Sequence, residues 1–379
     1  MKFQAVNILA ARRLPQGRYG GAYRGLGAVA MGESIVRALL EDPALPRPAR
    51  AFWGMARSHT QGMNPGRTIA LKAGLSSQTV GTTVNMACGS GLQALILGAQ
   101  ALELGAQGAV LVGGSEAMSD TPHLVPGLRW GFRMGHRTLP DVMHQDGLRC
   151  PVTGLLMGET IENLAQRRGV TRMEADAYAA RSHARAATAD FSLETAIHPA
   201  LDHDEGVRPE TTAASLARLA PVFDPNGQVT AGNASALSDG AAALLMARPD
   251  QAPGLRPLAR LLGSAEAGVD PMDMGEAPVP AIRRLLEQHG LGVKDIDLWE
   301  INEAFAAQIL VCTHQLGLPE DRLNVVGGGI ALGHPIGASG ARIVATLIHQ
   351  LHLRGGGLGV ASLGIGGGLG LALLVEVPG

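Results

Sequence analysis

The sequence predicts an α/β protein built from two similar halves of layered sheet and helix, with a less regular unit set between them. Three observations point there. Apolar, β-rich runs at 109–112 (AVLV), 358–362 (LGVAS) and 371–375 (LALLV) alternate with helical patterns at 92–104 and 341–353. Runs buried on both faces and joined by helices are the mark of α/β layering. A turn texture also occurs twice. Gly89-Ser90-Gly91-Leu92-Gln93-Ala94 opens one helix and leads to a strand ending in Gly113-Gly114; Ala338-Ser339-Gly340-Ala341-Arg342 opens another and leads to a strand ending in Gly366-Gly367-Gly368. Between the halves strand alternation fades, and Pro, His and Arg become frequent, as at 121–137.

At 379 residues the chain exceeds what one core usually fills, so two or three packed units are expected. The predicted division is 1–117 plus about 238–258 for the first half, 118–237 for the inserted loop unit and 259–379 for the second half. Residues 1–11, followed at once by Arg12 and Arg13, read as an edge or first strand rather than a secretion signal. Inside the inserted unit, 160–169 and 171–189 form a helical pair, the second begun by Thr171 with Glu174 in a capping box.

Composition narrows the function. Hydrophobic residues make up 46% and charged residues 17%, the balance of a packed enzyme with surface buried between subunits and the opposite of disorder. A net charge of −2 gives no global pull toward nucleic acid or an anionic membrane. No apolar run approaches the roughly 20 residues of a membrane span. Cys88, Cys150 and Cys312 are the three cysteines, a sparse, odd set that predicts a reducing compartment, the cytoplasm, and no disulfide framework. Glycine supplies 52 residues, about twice the usual share, gathered in turns where backbone must approach something closely.

Cys88 lies in Val84-Asn85-Met86-Ala87-Cys88-Gly89-Ser90-Gly91, after an apolar run and directly before a helix. The positive end of a helix dipole favours a thiolate and is expected to lower the thiol pKa, the setting of an activated nucleophile. A base is offered by His334, between Gly333 and Pro335 before the second-half helix, inside a run from Gly327 to Gly340. A neutral imidazole there can accept the thiol proton. Asn302, in Asn302-Glu303-Ala304-Phe305 after the run 296–301, suits either donation to an oxyanion or a bound water, or a helix cap. Gly366-Gly367-Gly368-Leu369-Gly370 is followed by a strand-like run, so it fails as a dinucleotide loop; it can present a backbone N–H to a negative oxygen. His198, Asp202, His203, Asp204 and Glu205 match no zinc spacing and read as a solvated loop, so no metal is expected. Arg129, Trp130, Arg133, His136 and Arg137 fit a phosphate or subunit contact and a plain surface loop equally well.

Together these stretches closely resemble the thiolase family. The resemblance runs almost the whole chain: Gly17-Arg18-Tyr19-Gly20-Gly21, the Cys88 turn, Arg208-Pro209-Glu210-Thr211-Thr212, Val229-Thr230-Ala231-Gly232-Asn233-Ala234-Ser235, Asn302-Glu303-Ala304-Phe305, the Gly-His-Pro segment and the final glycine run. It implies duplicated α/β halves in a layered αβαβα arrangement with an inserted loop domain, assembled as a homodimer or homotetramer. It implies a CoA-dependent acyltransferase of fatty acid metabolism that cleaves 3-ketoacyl-CoA with CoA to acetyl-CoA and a shortened acyl-CoA, or runs the reverse Claisen condensation, through acyl-Cys88. By resemblance His334 activates Cys88, Asn302 orients a water in one oxyanion hole, and the N–H groups of Cys88 and Gly366 form the other. Arg208, Ser215 and Ser235 match positions that contact CoA, and Met157 lines the acyl end. Coenzyme A and acyl-CoA are then substrates, with no permanently bound cofactor, no nucleic acid and no membrane partner.

One departure stands out. The family usually has a second cysteine two residues before the glycine matching Gly366, acting as acid/base on the α-carbon; here the position is Gly364. Cys312, on the helix after Asn302, reads as packing. Intact acyl transfer with weakened Claisen chemistry is expected unless a water or Cys150 substitutes. Leu156 stands where some biosynthetic members have His, a lean toward degradative relatives. The alternatives are a ketoacyl-synthase-like enzyme using a carrier protein, and a catalytically impaired CoA-binding protein.

Overall fold

The computed structural model describes residues 1–4 and 6–379, and it places the first apolar run in the middle of a sheet. Strand β1 (Asn7–Arg13) is followed by β2 (Gly17–Arg18), α1 (Ala28–Leu39), β3 (Pro48–Gly54), α2 (Pro65–Lys72), β4 (Val80–Val84), α3 (Ser90–Glu103) and β5 (Ala109–Ala117). Then come α4 (Met157–Arg168), α5 (Arg172–Thr188), the short α6 (Ala213–Leu216) and β6 (Ser238–Ala247). The chain continues with β7 (Ala259–Gly268), α7 (Pro278–His289), β8 (Leu298–Ile301), α8 (Ala306–Leu316), α9 (Gly329–Leu332), α10 (Ile336–Leu353), β9 (Gly357–Ile365) and β10 (Leu369–Val377).

The strands run β4-β3-β5-β6-β1-β7-β10-β9-β8, with β2 beside β6. In the first half β3 is parallel to β4 and β5, and β6 is antiparallel to β5 and β1. The second half repeats this order: β8 is parallel to β9, and β10 is antiparallel to β9 and β7. A parallel bridge from Trp299 to Leu323 stands where β4 stands in the first half. The halves meet where β1 pairs with β7 at Asn7↔Arg260 and Ile8↔Ala259. The expected duplication is thus visible as one strand order used twice, and β1 is an interior strand rather than an edge.

Helices α3 and α10 pack on each other and on strands of both halves, while α1 and α2 contact the first half and α7 the second. The result is αβαβα layering. The central layer buries Leu92, Leu95 and Ile96 of α3 with Val344, Leu347 and Ile348 of α10. Both helices are apolar around most of their circumference, as burial between two sheets demands. Their crossing is a meeting of backbones: a Cβ on Gly340 would overlap the backbone nitrogen of Leu92, and one on Gly91 would lie 2.8 Å from the Gly337 carbonyl oxygen. Glycine is what allows that approach.

The 118–237 stretch carries the expected helical pair. Thr171 accepts from Glu174 N and Glu174 accepts from Thr171 N, closing the capping box. Helices α4 and α5 pack on α8. The same stretch is bolted to β1 through the buried Arg13, whose Nε donates to Glu194 Oε1 at 2.5 Å and whose Nη1 and Nη2 donate to the two oxygens of Asp204 at 2.6 and 2.8 Å.

Candidate active site

Because β3, β4 and β5 are parallel, their carboxyl ends share one side of the sheet, where α/β proteins bind ligands. Cys88 follows β4 on that side. Its turn is built locally: Ser90 Oγ donates to Ala87 O at 2.7 Å and accepts from Met86 N at 2.9 Å, while Asn85 Oδ1 accepts from Ala87 N at 3.0 Å. Ala87 is held at φ +46°, a left-handed conformation that costs a non-glycine residue about 1–3 kcal/mol and is kept by its surroundings. The turn leaves Cys88 half-buried, facing a cavity of about 100 Å³.

The expected lowering of the Cys88 pKa is not what the structure gives. Burial pushes the thiol up, and the Gly366 N–H, the Arg57 charge and the residue's own N–H pull it down without offsetting that. The dipole of α3 is a local effect, whereas the desolvation comes from every wall of the cavity. Cys88 therefore rests as a thiol.

His334 is 7% exposed. Its Nδ1 lies 2.5 Å from Ser339 Oγ, and Ser339 Oγ itself donates to Pro335 O at 2.9 Å. With that hydroxyl proton committed, Nδ1 must be the donor, which leaves Nε2 as the lone-pair nitrogen. Nε2 faces Asn302 Nδ2 at 3.4 Å. Burial first, then Arg342 and Arg57, bring the imidazole down to about 3, so it is neutral near pH 7, as expected. Gly333, at φ +107° with its Cα against Ser238, sets the approach.

Asn302 directly follows β8, its N donating to Ser362 O at 2.9 Å. Helix α8 begins only at Ala306, with Phe305 at its N-cap, so the capping alternative fails. Asn302 Oδ1 is buried without a partner.

The cavity brings together Cys88, His334, Gly366, Met157 and Ser235, with Met118, Leu148, Ile161, Met274, Phe305 and Gln308 in its walls. Gly364 also lines it. Arg208 and Ser215 lie outside. Arg208 is exposed, with its backbone N donating to His183 Nδ1 and its Nη2 3.2 Å from His183 Nε2; Ser215 exchanges hydrogen bonds with Thr212. Cys150 is buried away from the cavity. Cys312 packs in α8, its Sγ donating to Gly275 O at 3.4 Å, and burial pushes its thiol up to about 12. Neither stands in for the side chain absent at Gly364. That absence is matched by close packing: a Cβ there would lie 2.8 Å from the Met274 carbonyl oxygen.

Among the described residues no cluster of metal-ligating side chains forms. Asp204 is committed to Arg13, Glu205 to Arg18, and His198 packs edge-on against Tyr23. Arg129, Trp130, Arg133, His136 and Arg137 are exposed. A wider groove of about 830 Å³, lined by Arg12, Phe191 and His203 among others, lies apart from Cys88.

Sequence reasoning missed several groups. Ser339 was visible only as a helix-opening residue. Gln308, on α8, lines the cavity with Oε1 unpaired. Glu303 is buried and accepts from Tyr178, Ser182, Asn324 and Ile330 N, tying α5 behind Asn302. Glu116 takes three backbone N–H groups, from Ala56, Arg57 and Gly337, yet burial still pushes it up to about 7.

Comparison with known proteins agrees with this architecture. Residues 6–250 match the family profile described as thiolase, N-terminal domain, and residues 255–377 that described as thiolase, C-terminal domain. The chain is 44% identical over 390 residues to an acetyl-CoA acetyltransferase of Chromobacterium violaceum, covering 98% of this chain and 100% of the relative. It is 45% identical over 387 residues to an acetyl-CoA acetyltransferase of Pseudomonas aeruginosa, covering 98% of each. The crystal structure of human mitochondrial 3-ketoacyl-CoA thiolase in complex with CoA superposes with a TM-score of 0.96 at 37% identity, over 100% of both chains. With both family domains matched in order and a duplicated fold shared along its full length, the chain belongs to the thiolase family.

Proposed function

We propose that this chain is a CoA-dependent acyltransferase that carries an acyl group on Cys88 as a thioester, taking 3-ketoacyl-CoA or acyl-CoA and passing the acyl group to CoA. The observation that carries the reading is the shared cavity of Cys88 and His334, with the Gly366 N–H directed at the sulfur. Family membership and relatives named acetyl-CoA acetyltransferase support it.

The pKa directions set the order of events. A raised thiol and a lowered imidazole make the neutral pair the resting state, so the proton passes to His334 Nε2 as the sulfur–carbon bond forms rather than before it. The tetrahedral oxyanion is assigned to the N–H groups of Cys88 and Gly366, each donor of this kind being worth about 3–4 kcal/mol of barrier. Asn302, whose side chain meets Nε2, is assigned to hold a water at the second oxyanion site. We assign Ser235 and Met157 to the acyl and thioester end, inside the cavity, and Arg208 and Ser215 to the nucleotide end of CoA. The cavity volume favours short acyl groups.

Cys88 and His334 are the titratable side chains among the described residues lining that cavity. With Gly364 contributing none, deprotonation at an α-carbon falls to His334 or a water. Acyl exchange is therefore retained and Claisen chemistry weakened. The alternative of a CoA-binding protein with impaired catalysis is not favoured by the full-length relatives named acetyl-CoA acetyltransferase. The cysteine set supports action in the cytoplasm, and the exposed Trp130 and Met134 support subunit contacts in a homodimer or homotetramer. Incubation with acetyl-CoA, whose thioester exchange needs no proton transfer at an α-carbon, followed by intact mass tests the acyl-enzyme. One acetyl group on wild type and none on Cys88→Ser is the expected result; no adduct on wild type overturns the acyl-enzyme.

A further inference from the structure

The carboxyl ends of β3, β4 and β5 bring three chemically loaded residues to one place: Arg57 beyond β3, Cys88 beyond β4 and Glu116 within β5. Beyond its charge acting on Cys88 and His334, Arg57 is given no contact in the chemistry above, yet it is 4% exposed and its Nε, Nη1 and Nη2 all lack a hydrogen-bond partner. A guanidinium held out of water without an acceptor is costly. Its planar fork of donors is matched by a carboxylate. Glu116 does not fill that place. Its Oε2 accepts from Ala56 N and Gly337 N, each at 3.0 Å, and its Oε1 from the backbone N of Arg57 at 3.1 Å; the Arg57 charge acts on this carboxylate, but no hydrogen bond joins it to the guanidinium.

The position of the fork is informative. It lies against Gly147, so closely that a Cβ on that glycine would overlap it. Gly147 and its neighbour Leu148 form part of the wall of the Cys88 cavity. Ala56, adjacent to Arg57, packs in the same apolar cluster as Cys88 and Leu148. His59 reaches Asp146 at 3.8 Å, tying the segment after β3 to the turn that carries Gly147. The cation therefore stands behind Gly147 in the wall of the acyl cavity, without itself lining it, and its charge reaches both Cys88 and His334.

We propose that Arg57 recognises a carboxylate at the far end of a short acyl chain, so that the preferred acyl groups are those of dicarboxylic acids. This rests on the acyl-Cys88 reading, and the test separates the two. Full-length wild type, Arg57→Met and Arg57→Lys are mixed with succinyl-CoA or with butyryl-CoA, its uncharged analogue of equal chain length, and the rate of Cys88 acylation is followed by intact mass.

Wild type is expected to acylate faster with succinyl-CoA by at least about tenfold, since a buried donor left unpaired rejects the analogue lacking its acceptor. Arg57→Met should lose that preference, its rate falling further with succinyl-CoA than with butyryl-CoA because the charge also acts on Cys88, and Arg57→Lys should keep part of it. Equal rates in wild type overturn the proposal, as does an equal loss on both thioesters in Arg57→Met, which would assign Arg57 to the thiol instead. If Arg57→Met does not fold, the wild-type ratio and the Lys variant decide. Acylation by neither thioester overturns the acyl-enzyme reading itself.

Discussion

Gly364 shows how a single position couples chemistry to packing. The family resemblance marks it as a missing acid/base, and the structure adds that the space has closed, with the Met274 carbonyl oxygen 2.8 Å from where a Cβ would stand. Gly364→Cys should therefore cost about 1–3 kcal/mol through overpacking, read as a lower urea midpoint. It should nonetheless raise the rate of 3-ketoacyl-CoA cleavage by supplying a proton carrier; a folded variant with no gain would show that the α-carbon proton is handled elsewhere. Cys88, His334, Asn302 and Gly366 were legible in sequence because each sits in a local texture, a small-residue turn at a strand end. Ser339 and Gln308 were not, since what makes them matter is a contact supplied by another element. The pKa of Cys88 was misjudged for the same reason: a helix dipole can be read from neighbours in sequence, burial cannot.

The crossing of α3 and α10 is the element on which the site depends, for Cys88 and His334 precede these helices. Gly340 meets the backbone of Leu92 there, so Gly340→Ala has no side-chain rotamer to displace and must separate the helices. A destabilisation of about 3 kcal/mol, at the upper end for overpacking, is expected from chemical denaturation, together with slower acylation of Cys88. A variant with wild-type stability would mean that the helices are not in such contact. The two helices were predicted well because small residues at their starts and apolar runs behind them agree. The interior place of β1 was not, because alternation reports which faces are buried and says nothing of which strands lie on either side.

At the scale of the whole molecule, the 118–237 stretch depends on a charge buried in the sheet. Arg13→Met would strand Glu194 and Asp204 without their cation, and removing one partner of a buried pair typically costs about 3–5 kcal/mol. Denaturation should register that loss, and limited proteolysis should cut first within 118–237; unchanged stability would show that the network is neutral in sum. Acid acts on the site helices as well. His334 is held at about 3 in the folded chain against an ordinary 6.5, so the unfolded chain takes up the proton first as pH falls. Its contribution is fully present above pH 6.5 and declines through the interval below it. His334→Gln should accordingly lose less stability than wild type between pH 7 and pH 5, by up to about 2 kcal/mol. Parallel losses in the two proteins would rule this out. The backbone contact at Gly91 and Gly340 has a further consequence. With nothing there able to yield, the spacing between nucleophile and base is as stiff as a welded joint, and changes in acyl preference are left to the wall that the central segment contributes. New substrates are reached by resurfacing one side of the chamber while the reacting pair keeps its setting.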